Sequence, residues 1–511
     1  MNLRHLLKRD SQRQLQLIET LYYSPNPRSS EELSKITKCT TPALLNDIRS
    51  INTQSDYYQI IRENSLYRLE LADNATIDVL FSTLINQSMA FKILEAIFFE
   101  DCSTLQELSR KLFCSLTTVQ SAMKDLQEAL GQWKMTVERR PFRLTGNEIA
   151  IRHLFFLYFS EKKFVREQTR YSTEFYQFGD AIVRSMITEN ELPVSLAQYN
   201  RLNLNFFISL IRISKGHRIT SRNLTSKSIE APNQHAINNF SPYLRRELRL
   251  IYSEDIMKDS FWLLYADLFL LSEKQKQKSL STNFSLAYHY ETHYEFAETL
   301  SKRLIEPLSE QQKDELATIL INQHLFHAKT KEFISVIQDR KRDCLQLMEA
   351  FHAHCVYQLR QLVVEFTEQY QLFTTPEFID NYIYQIIATI PRCMNGMKQS
   401  EKPIDITIIS TDSKMQEALL TEFIKFSIRG NYRLQQIGID EIQGDNLLPV
   451  FNQSDIVVST STFDVPNCQT PIIAVELCPS IQSLNKIQNL IDQLQRERSQ
   501  KFIETNKNTV E

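Results

Sequence analysis

Glycine is rare in this chain, with only 8 among 511 residues. A loop that cradles a nucleotide phosphate needs clustered glycines, because glycine alone lets the backbone amides approach the phosphate in strained conformations. No two of these glycines have the spacing of a Walker loop or of a dinucleotide-binding loop. The sequence therefore excludes nucleotide-driven chemistry of these kinds. Low glycine with abundant leucine, glutamate and lysine instead predicts a mainly helical chain.

Paired cysteines, a large net charge and long apolar runs are also missing. The 8 cysteines include no CxxC pair, which argues against a zinc site and favours free thiols in a reducing compartment. The net charge of −3 gives no global attraction to nucleic acid or membrane, so any such binding must be local. The N-terminus has no apolar signal segment, and no run approaches the roughly 18 apolar residues of a membrane span. We therefore expect a cytoplasmic protein without membrane contact.

Catalytic motifs are missing as well. The chain contains no GxSxG or HExxH sequence, so no set of nucleophile, base and orienting group can be assembled from these motifs. His289 and His293 have the i, i+4 spacing of two metal ligands on one helix face, but no nearby glutamate or cysteine set completes a site. The sequence predicts neither an enzyme nor a protein with a metal or an organic cofactor.

The chain does contain a repeated pattern of three helices followed by a hairpin. In the first copy, apolar residues at helical spacing over 15–22 precede a break at 24–30, where Ser29 or Ser30 can cap a short second helix. A third helix is predicted from about Thr41 to Asn52. Two strands then flank a polar turn at 63–65. This order is the pattern of a winged helix-turn-helix domain.

The second copy repeats that order. A helix around residues 91–98 and a break at 101–104 precede a short helix over 105–112. A third helix follows, capped by residues 115–118, and a hairpin is predicted with its turn at 139–141. In both copies only a few residues separate the two central helices. This geometry presents the later helix to the major groove of a duplex.

Both later helices carry polar residues opposite their apolar faces, and the second hairpin is basic. Hydroxyls and lysines can hold phosphates, while Asn, Gln and Arg can recognise base edges. Asp47 counts against the first copy unless its carboxylate points away from the duplex. The alternative is that these residues form ordinary solvated surfaces. The candidate DNA contacts are Thr41, Asn46 and Arg49 in the first copy, and Thr117, Thr118, Gln120, Ser121, Lys124, Arg139, Arg140 and Arg143 in the second.

The rest of the chain divides into a long helical part and a short mixed part. Apolar residues at helical spacing, with polar breaks near 214–244 and 275–285, predict two helical bundles over 155–280 and 285–395. Beyond residue 402, short apolar strands alternate with helices, which predicts a small α/β domain with a parallel sheet over 402–500. We expect the tail from Ser499 to be frayed. The predicted strands are 404–410, 432–437, 455–459 and 471–475, and the predicted helices are 415–428 and 481–496.

This domain order resembles the Mga/RofA/AtxA class of stand-alone virulence regulators of Gram-positive bacteria, and is closest to its RofA-like branch. The resemblance is carried by residues 103–159, by LNFFISLIRISKG (204–216) and by IDITIISTDSK (404–414). It implies a mainly α, multidomain chain in which 1–75 and 80–150 are winged helix-turn-helix domains, the second of Mga type. It further implies that the bundles are similar to phosphotransferase-system regulatory domains (PRDs) and the last domain to an enzyme IIB.

The resemblance also implies regulation by phosphoryl transfer to bundle histidines, a chemistry that suits imidazole near neutral pH. In the first bundle the matching position holds Asn205, and His217 lies nearby but off the pattern. In the second bundle His324 is the best candidate, whereas His327 and His352 are weaker ones. From the residues alone, unmodified helix histidines remain the alternative.

The last domain is expected to lack phosphotransfer chemistry. Where an active enzyme IIB has a cysteine after its first strand, this chain has Ser410. A serine hydroxyl is a far poorer nucleophile than a thiolate. We therefore expect a module for interaction or dimerisation.

Taken together, the sequence predicts a transcriptional regulator of virulence or surface-protein genes that binds double-stranded promoter DNA, chiefly through its second winged domain. A homodimer or higher oligomer is expected, and the resemblance implies phosphotransferase-system proteins and RNA polymerase as partners. Three alternatives stay open: an RNA-binding antiterminator with the same bundles, a scaffold whose winged domains bind protein, and a helical enzyme with an unrecognised site.

Overall fold

The computed structural model describes residues 2–24, 26–163, 171–219, 224, 229–265, 270, 272–330, 334–372, 374–397, 402–410, 413–436, 448–462 and 467–506. The chain is mainly helical and divides into two compact units. The first unit comprises Met1–Tyr290 and Ile321–Asp339, and the second comprises Glu291–Leu320 and Arg340–Glu511.

The N-terminal module of the first unit has the predicted three helices and hairpin. Ser29 caps α2 through a capping box, in which its hydroxyl accepts from the Glu32 amide and the Glu32 carboxylate accepts from the Ser29 amide. β2 and β3 pair antiparallel, and β1 pairs with β3. Its elements are a 3-10 helix (Arg4–Leu6), α1 (Arg9–Tyr23), β1 (Arg28–Ser29), α2 (Ser30–Ile36), α3 (Thr41–Asn52), β2 (Tyr58–Glu63) and β3 (Leu66–Leu71).

The second module also has the predicted helices and hairpin, preceded by a helix that the sequence did not predict. This extra helix, α4, buries Leu80, Phe81, Leu84 and Ile85. Thr104 and Ser115 cap the two central helices through their hydroxyls, as expected. The elements are α4 (Asp78–Gln87), α5 (Met89–Phe99), α6 (Leu105–Lys111), α7 (Leu116–Gly131), β4 (Thr136–Glu138) and β5 (Arg143–Thr145).

The two modules repeat at a fixed interval along the chain. α2 and α6 begin 75 residues apart, and so do α3 and α7. The turns before α3 and α7 also match in backbone conformation, since Lys38 and Phe113 lie in the left-handed region at φ 50° and 51°. Residues 75 apart therefore occupy equivalent positions in the two modules.

Helices dominate the chain from residue 148 to residue 396. In the first unit, Phe155 and Phe159 of α8 pack against Phe98 of α5 with ring centroids 4.6 and 5.0 Å apart. In the second unit, α17 is interrupted at His352, whose backbone is not helical. The helices are α8 (Glu148–Lys162), α9 (Thr173–Glu189), α10 (Leu196–Ser214), α11 (Gln234–Leu248), α12 (Glu254–Ser260), α13 (Trp262–Tyr265), α14 (Glu273–Thr282), α15 (Phe284–Arg303), α16 (Glu310–Thr330), α17 (Arg340–Gln369), α18 (Pro376–Thr389) and α19 (Cys393–Gly396).

The C-terminal part of the second unit is the predicted small α/β domain with a parallel sheet. The strand order is β7-β6-β8-β9, with every neighbouring pair parallel. Ile437, which the sequence placed in the second strand, lies outside the described residues. The elements are β6 (Ile404–Ile409), α20 (Lys414–Ser427), β7 (Tyr432–Gln436), α21 (Leu448–Phe451), β8 (Ile456–Ser459), β9 (Ile472–Ala474) and α22 (Ile481–Asn506).

Three sequence-based expectations were wrong. The polar stretch 275–285 is helical over most of its length and is interrupted only at Asn283, because α14 spans Glu273–Thr282, is capped by Ser272 and buries Gln275 and Ser279. The break near 214–244 is shorter than expected, since α11 begins at Gln234. The tail is not frayed from Ser499, because α22 continues to Asn506 and its Phe502 ring packs against His354 of α17, with ring centroids 4.9 Å apart.

In the ranges that the structure describes, no helix is both long enough and apolar enough to cross a bilayer.

Candidate nucleic-acid interface

Helix α7 is anchored on one side and open on the other. Its buried face is Val119, Met123, Leu126, Ala129 and Leu130. This face packs against α5. The Ser115 hydroxyl caps the helix by accepting from the Thr118 amide at 3.1 Å. The anchoring leaves the opposite face of the helix free for a ligand.

The exposed face of α7 carries the polar residues that the sequence singled out. Thr117, Gln120, Ser121 and Lys124 are all exposed, and their i, i+3, i+4, i+7 spacing places them on one stripe. Thr118 is also exposed, and the hydroxyls of Thr117 and Thr118 lie 2.8 and 2.7 Å from the Ser115 hydroxyl. The exposed Asp125 and Glu128 follow Lys124. These carboxylates confine an anion-binding surface to the N-terminal half of the helix.

The second hairpin is basic but not uniformly available. Arg139 and Arg140 are exposed, and neither has an ion-pair partner within the described part of the chain. Arg143 is paired with Glu138 at 2.6 Å. This Arg143 hydrogen bond lowers the pKa of Glu138, so the carboxylate is ionised at neutral pH and offsets the Arg143 charge. Arg139 and Arg140, at the tip of this hairpin, therefore keep charges that no described residue offsets.

The first module repeats the surface of the second. Thr41, Asn46 and Arg49 are exposed on α3. Asn46 is equivalent to Ser121, and Arg49 is equivalent to Lys124, so each module presents a cation at the same position of its later helix. Two independent positions of the chain thus carry the same kind of surface.

Asp47 does not oppose this surface, because its carboxylate is buried. It is bound by the Arg13 guanidinium of α1 through two nitrogens, one of them 2.9 Å from the carboxylate. Both charges of the pair are used inside the module. The condition set by the sequence, that Asp47 must point away from the duplex, is met.

The first hairpin is less cationic than the second. Its Arg68 pairs with Glu63 at 3.0 Å and with Glu70 at 2.8 Å, and its turn consists of the uncharged Asn64 and Ser65. The second hairpin has Arg139 and Arg140 at the corresponding tip. This difference supports the expectation that the second module makes the stronger phosphate contacts.

Sequence reasoning missed one position of this surface. Lys38 and Phe113 occupy equivalent places in the turns before α3 and α7, and both are exposed, Phe113 to 96%. The signal was available in the sequence as the 75-residue interval. Aligning the two copies at that interval places both residues one turn before the later helix.

A buried ionic network holds the second hairpin from behind. Arg212 of α10 donates from Nη2 to the Leu144 carbonyl of β5 at 3.0 Å and to Glu148 at 2.6 Å. Arg152 of α8 donates to the same Glu148 at 2.9 Å and pairs with Asp259 at 2.8 Å. The hairpin and three helices of the first unit are therefore joined through one set of charges.

The pKa values of Glu148 and Asp259 shift in opposite directions within this network. Burial by itself would raise the pKa of Glu148, but hydrogen bonds from Arg212 and the charges of both arginines outweigh it and hold the pKa below its ordinary value. Burial raises the pKa of Asp259 in spite of Arg152 and Arg218. Glu148 is therefore the carboxylate whose ionisation the fold favours.

Two of the candidate phosphorylation histidines lie close to a third histidine in the first unit. The rings of His324 and His289 have centroids 4.9 Å apart, and His327 is buried one turn further along α16. Burial, reinforced by the charges of His289 and His327, lowers the pKa of His324 to about 4. Its imidazole is therefore neutral, and nucleophilic, at physiological pH.

The other positions singled out by the sequence are His217, His352 and Asn205. His217 pairs through Nε2 with Glu100, and its carbonyl accepts from Arg152 at 3.3 Å. His352 lies at the interruption of α17. Asn205, at the position where the resemblance expects a histidine, is buried and donates to the Arg201 carbonyl at 2.9 Å. The structure therefore groups His324 and His327 on α16 beside His289 and pairs His217 with Glu100.

The described residues form no cluster of metal ligands. No group of three His, Cys, Asp or Glu side chains with metal-binding geometry occurs among the residues described. His293, proposed as a ligand partner of His289, is fully buried and lies 3.0 Å from the Tyr382 hydroxyl through Nε2. In the α/β domain, Ser410 follows β6 and accepts from the Thr460 hydroxyl at 3.4 Å, while Thr411 and Asp412 lie outside the described residues.

The chain matches a known family over its second module. Residues 73–159 match the family described as the Mga helix-turn-helix domain, and this range runs from α4 through the second hairpin and along α8 as far as Phe159. The resemblance seen in the sequence is confirmed for this segment. Residues 73–159 are thus identified as an Mga helix-turn-helix domain.

Three known proteins are similar to the chain over longer stretches. A trans-acting regulator of Streptococcus pneumoniae serotype 4 is 20% identical over 445 residues, covering 85% of this chain and 88% of that protein. The capsule synthesis positive regulator AcpB of Bacillus anthracis is 19% identical over 506 residues, covering 95% and 99%. The capsule synthesis positive regulator AcpA of the same organism is 21% identical over 219 residues, covering 42% and 44%.

Proposed function

We propose that this protein is a DNA-binding transcriptional regulator of virulence or surface-protein genes. One observation carries the proposal: two modules of the same chain present a cation and a polar residue at equivalent exposed positions, Arg49 with Asn46 and Lys124 with Ser121. Residues 73–159 of the second module match the Mga helix-turn-helix domain. This module adds Arg139 and Arg140, which have no ion-pair partner among the described residues. It therefore makes most of the phosphate contacts.

Two modules on one chain suit promoter binding. A single module with few cations binds DNA weakly, and a second, tethered module raises the effective concentration of the first at its site. The names of the AcpA and AcpB relatives describe positive regulators of capsule synthesis. By analogy, this chain activates transcription and meets RNA polymerase at the promoter.

Regulation is proposed to act through the helices that carry the histidines. His324 is the best candidate for phosphoryl transfer from phosphotransferase-system proteins, because its neutral imidazole is only half-buried on α16. His327, His217 and His352 are weaker candidates, since His327 is buried, His217 is paired with Glu100, and His352 lies at a helix interruption. The helical regions would then act as PRDs in the sense of the resemblance.

Oligomerisation is proposed to use α20 of the enzyme IIB-like domain. One face of this helix buries Leu420 and Ile424, while four large apolar side chains form a stripe on its exposed side. Met415 is 84% exposed and Phe426 is 95% exposed, with Leu419 and Phe423 between them. A second copy of the chain is the occupant that can cover such a stripe symmetrically. Phe426→Glu is expected to turn the dimer into a monomer in sedimentation experiments, with Lys425→Glu as the control.

The DNA-binding proposal is tested with a double variant. Chromatin pull-down of the full-length protein first identifies bound promoters, and fluorescence anisotropy then measures affinity for one of them. Lys124→Ala with Arg140→Ala is expected to abolish promoter binding while far-ultraviolet circular dichroism stays unchanged. Lys278→Ala with Arg303→Ala removes two exposed cations outside the modules and is the control. Unchanged affinity of the first variant would overturn the assignment of this surface.

The same titration separates the alternatives. A PRD-containing antiterminator would bind a structured RNA more tightly than any duplex DNA. A protein scaffold would bind neither nucleic acid above the level of the double variant. Arg49 and Lys124, the cations at equivalent positions of α3 and α7, favour duplex DNA over a structured RNA and over a protein partner.

A further inference from the structure

Residues 2–7, called here the N-terminal arm, connect parts of the first unit that are distant in sequence. Leu3, Leu6 and Leu7 of the arm are buried. Arg4 donates from both terminal nitrogens to the Glu19 carboxylate of α1, at 3.0 and 2.7 Å. The 3-10 helix within the arm also contacts α7, which carries Lys124. The arm therefore touches both winged modules.

The arm also binds a segment that follows the histidine-bearing helix α16. The Leu3 amide donates to the Val336 carbonyl at 2.8 Å, and Arg4 donates from Nε to the Ile337 carbonyl at 2.6 Å. Asn2 forms a bridge with Ser335. Val336 and Ile337 are fully buried in the same core as the modules. Residues 334–338 are thus held by backbone hydrogen bonds and by apolar packing together.

Helix α8 closes this arrangement from the other side. One oxygen of the Glu161 carboxylate accepts from the amides of Ile337 at 2.9 Å and Gln338 at 3.2 Å. Phe326 of α16 packs edge-on against His153 of α8, with ring centroids 4.7 Å apart. Phe326 lies two residues from His324 on α16. Helix α16 and the segment after it are therefore both in contact with α8, the helix that follows the second module.

We propose that the N-terminal arm and residues 334–338 form a clasp that sets the position of the two recognition helices α3 and α7 relative to each other, and that a change at α16 loosens it. The purpose assigned to the clasp rests on the proposed DNA-binding function, whereas the contacts that form the clasp do not depend on that function. Holding two binding helices at a fixed separation removes the entropy cost of ordering them on the duplex. A loosened clasp leaves each module able to bind but lowers the affinity of the pair.

The test uses the full chain with two side chains that hold the clasp changed, as Arg4→Ala with Glu161→Gln. Arg9→Ala with Glu365→Gln changes the same charges at exposed positions and is the matched control. Hydrogen exchange at the amides of Leu3 and Ile337 is expected to become at least tenfold faster in the clasp variant and to stay unchanged in the control. Because the hydrogen bonds of these amides are parts of the clasp, unchanged exchange would overturn the proposal without reference to DNA.

A second measurement addresses the function of the clasp. A promoter duplex long enough for both modules and a duplex of about one helical turn, which accommodates one module, are titrated with each variant. The clasp variant is expected to lose about tenfold in affinity for the long duplex and less than twofold for the short one. Equal loss on both duplexes, or loss on neither, contradicts the proposal. Failure of the wild-type protein to bind any duplex would instead refute the proposed function.

Two further variants test the Arg4 contact and the effect of α16 separately. Arg4→Lys retains the charge and loses the two-nitrogen contact with Glu19, so it replaces the double variant if that protein does not fold. His324→Glu places a negative charge where a phosphoryl group would be added. It is expected to speed exchange at Ile337 several-fold. Unchanged hydrogen exchange at the Ile337 amide would show that a change at α16 does not loosen the clasp.

Discussion

Arg49 and Lys124 occupy equivalent positions of helices α3 and α7, 75 residues apart in the chain. Both are exposed. Neither contributes to the apolar core of its module, and each follows an exposed polar residue by three positions. The repeated cation supports the proposal that both helices face a ligand of opposite charge.

The salt dependence of DNA binding measures whether both modules engage together. Each phosphate contact adds about 0.9 to the slope of log affinity against log salt concentration. Lys124→Ala is therefore expected to lower the slope by about 1, and Arg49→Ala to lower it by a similar amount. Lys278→Ala is the control. If Arg49→Ala leaves the slope unchanged, only the second module holds the duplex.

Removing the Asp47 carboxylate is expected to harm the protein, although it would remove a negative charge near the proposed interface. Asp47→Ala leaves Arg13 without the partner that raises its pKa through a hydrogen bond. Since Arg13 is partly exposed, the loss in unfolding free energy is expected to be about 2 kcal/mol. Chemical denaturation of Asp47→Ala, Arg13→Ala and the double variant checks this. Strictly additive effects would show that the pair is not coupled.

Glu148→Gln is expected to destabilise the first unit by about 3 kcal/mol at pH 7, because Arg152 and Arg212 lose a buried counter-charge. Since the fold lowers the pKa of Glu148 beneath its ordinary value of 4.5, this stabilisation is present above pH 4.5 and is lost as the pH falls through the lowered pKa. Urea unfolding followed by tryptophan fluorescence suits the test, because both tryptophans, Trp133 and Trp262, lie in the first unit. A difference from wild type that persists undiminished well below pH 4 would contradict the assignment. Glu174→Gln, at an exposed site, is the control.

His324→Gln is expected to make stability less sensitive to pH in the acid range. The pKa of His324 falls from an ordinary 6.5 to about 4 in the folded chain, so the unfolded chain binds the proton more readily between these values. Wild-type stability therefore decreases as the pH falls from 6.5 towards 4, and the glutamine variant lacks this contribution. His289, whose pKa is also lowered by burial, adds to the same trend. Identical pH profiles for wild type and variant, with exposed His235→Gln as control, would show that burial of His324 is not the cause.

The sequence by itself determined the local elements of this protein. Apolar spacing and capping residues were sufficient for α3, whose predicted bounds match the structure, and for the hairpins on either side of residues 64 and 140. These features are local, since a helix cap or a turn depends on residues within a few positions of it. The same holds for the exposure of Lys124 and Arg49, because the opposite face of each helix is apolar.

Only the tertiary structure decided which charged side chains can contact a ligand and which are neutralised by a partner within the protein. Asp47 and Arg13 are 34 residues apart, and Arg4 and Ile337 are 333 residues apart. No periodicity in the sequence could pair them. The polar stretch of α14 and the tail of α22 were likewise mispredicted because contacts with residues distant in sequence outweighed their composition: Leu280 packs against the cluster that contains Ile321, and Phe502 packs against His354. Long-range contacts are set by the packing of whole elements, and that packing depends on the total buried surface rather than on any single segment.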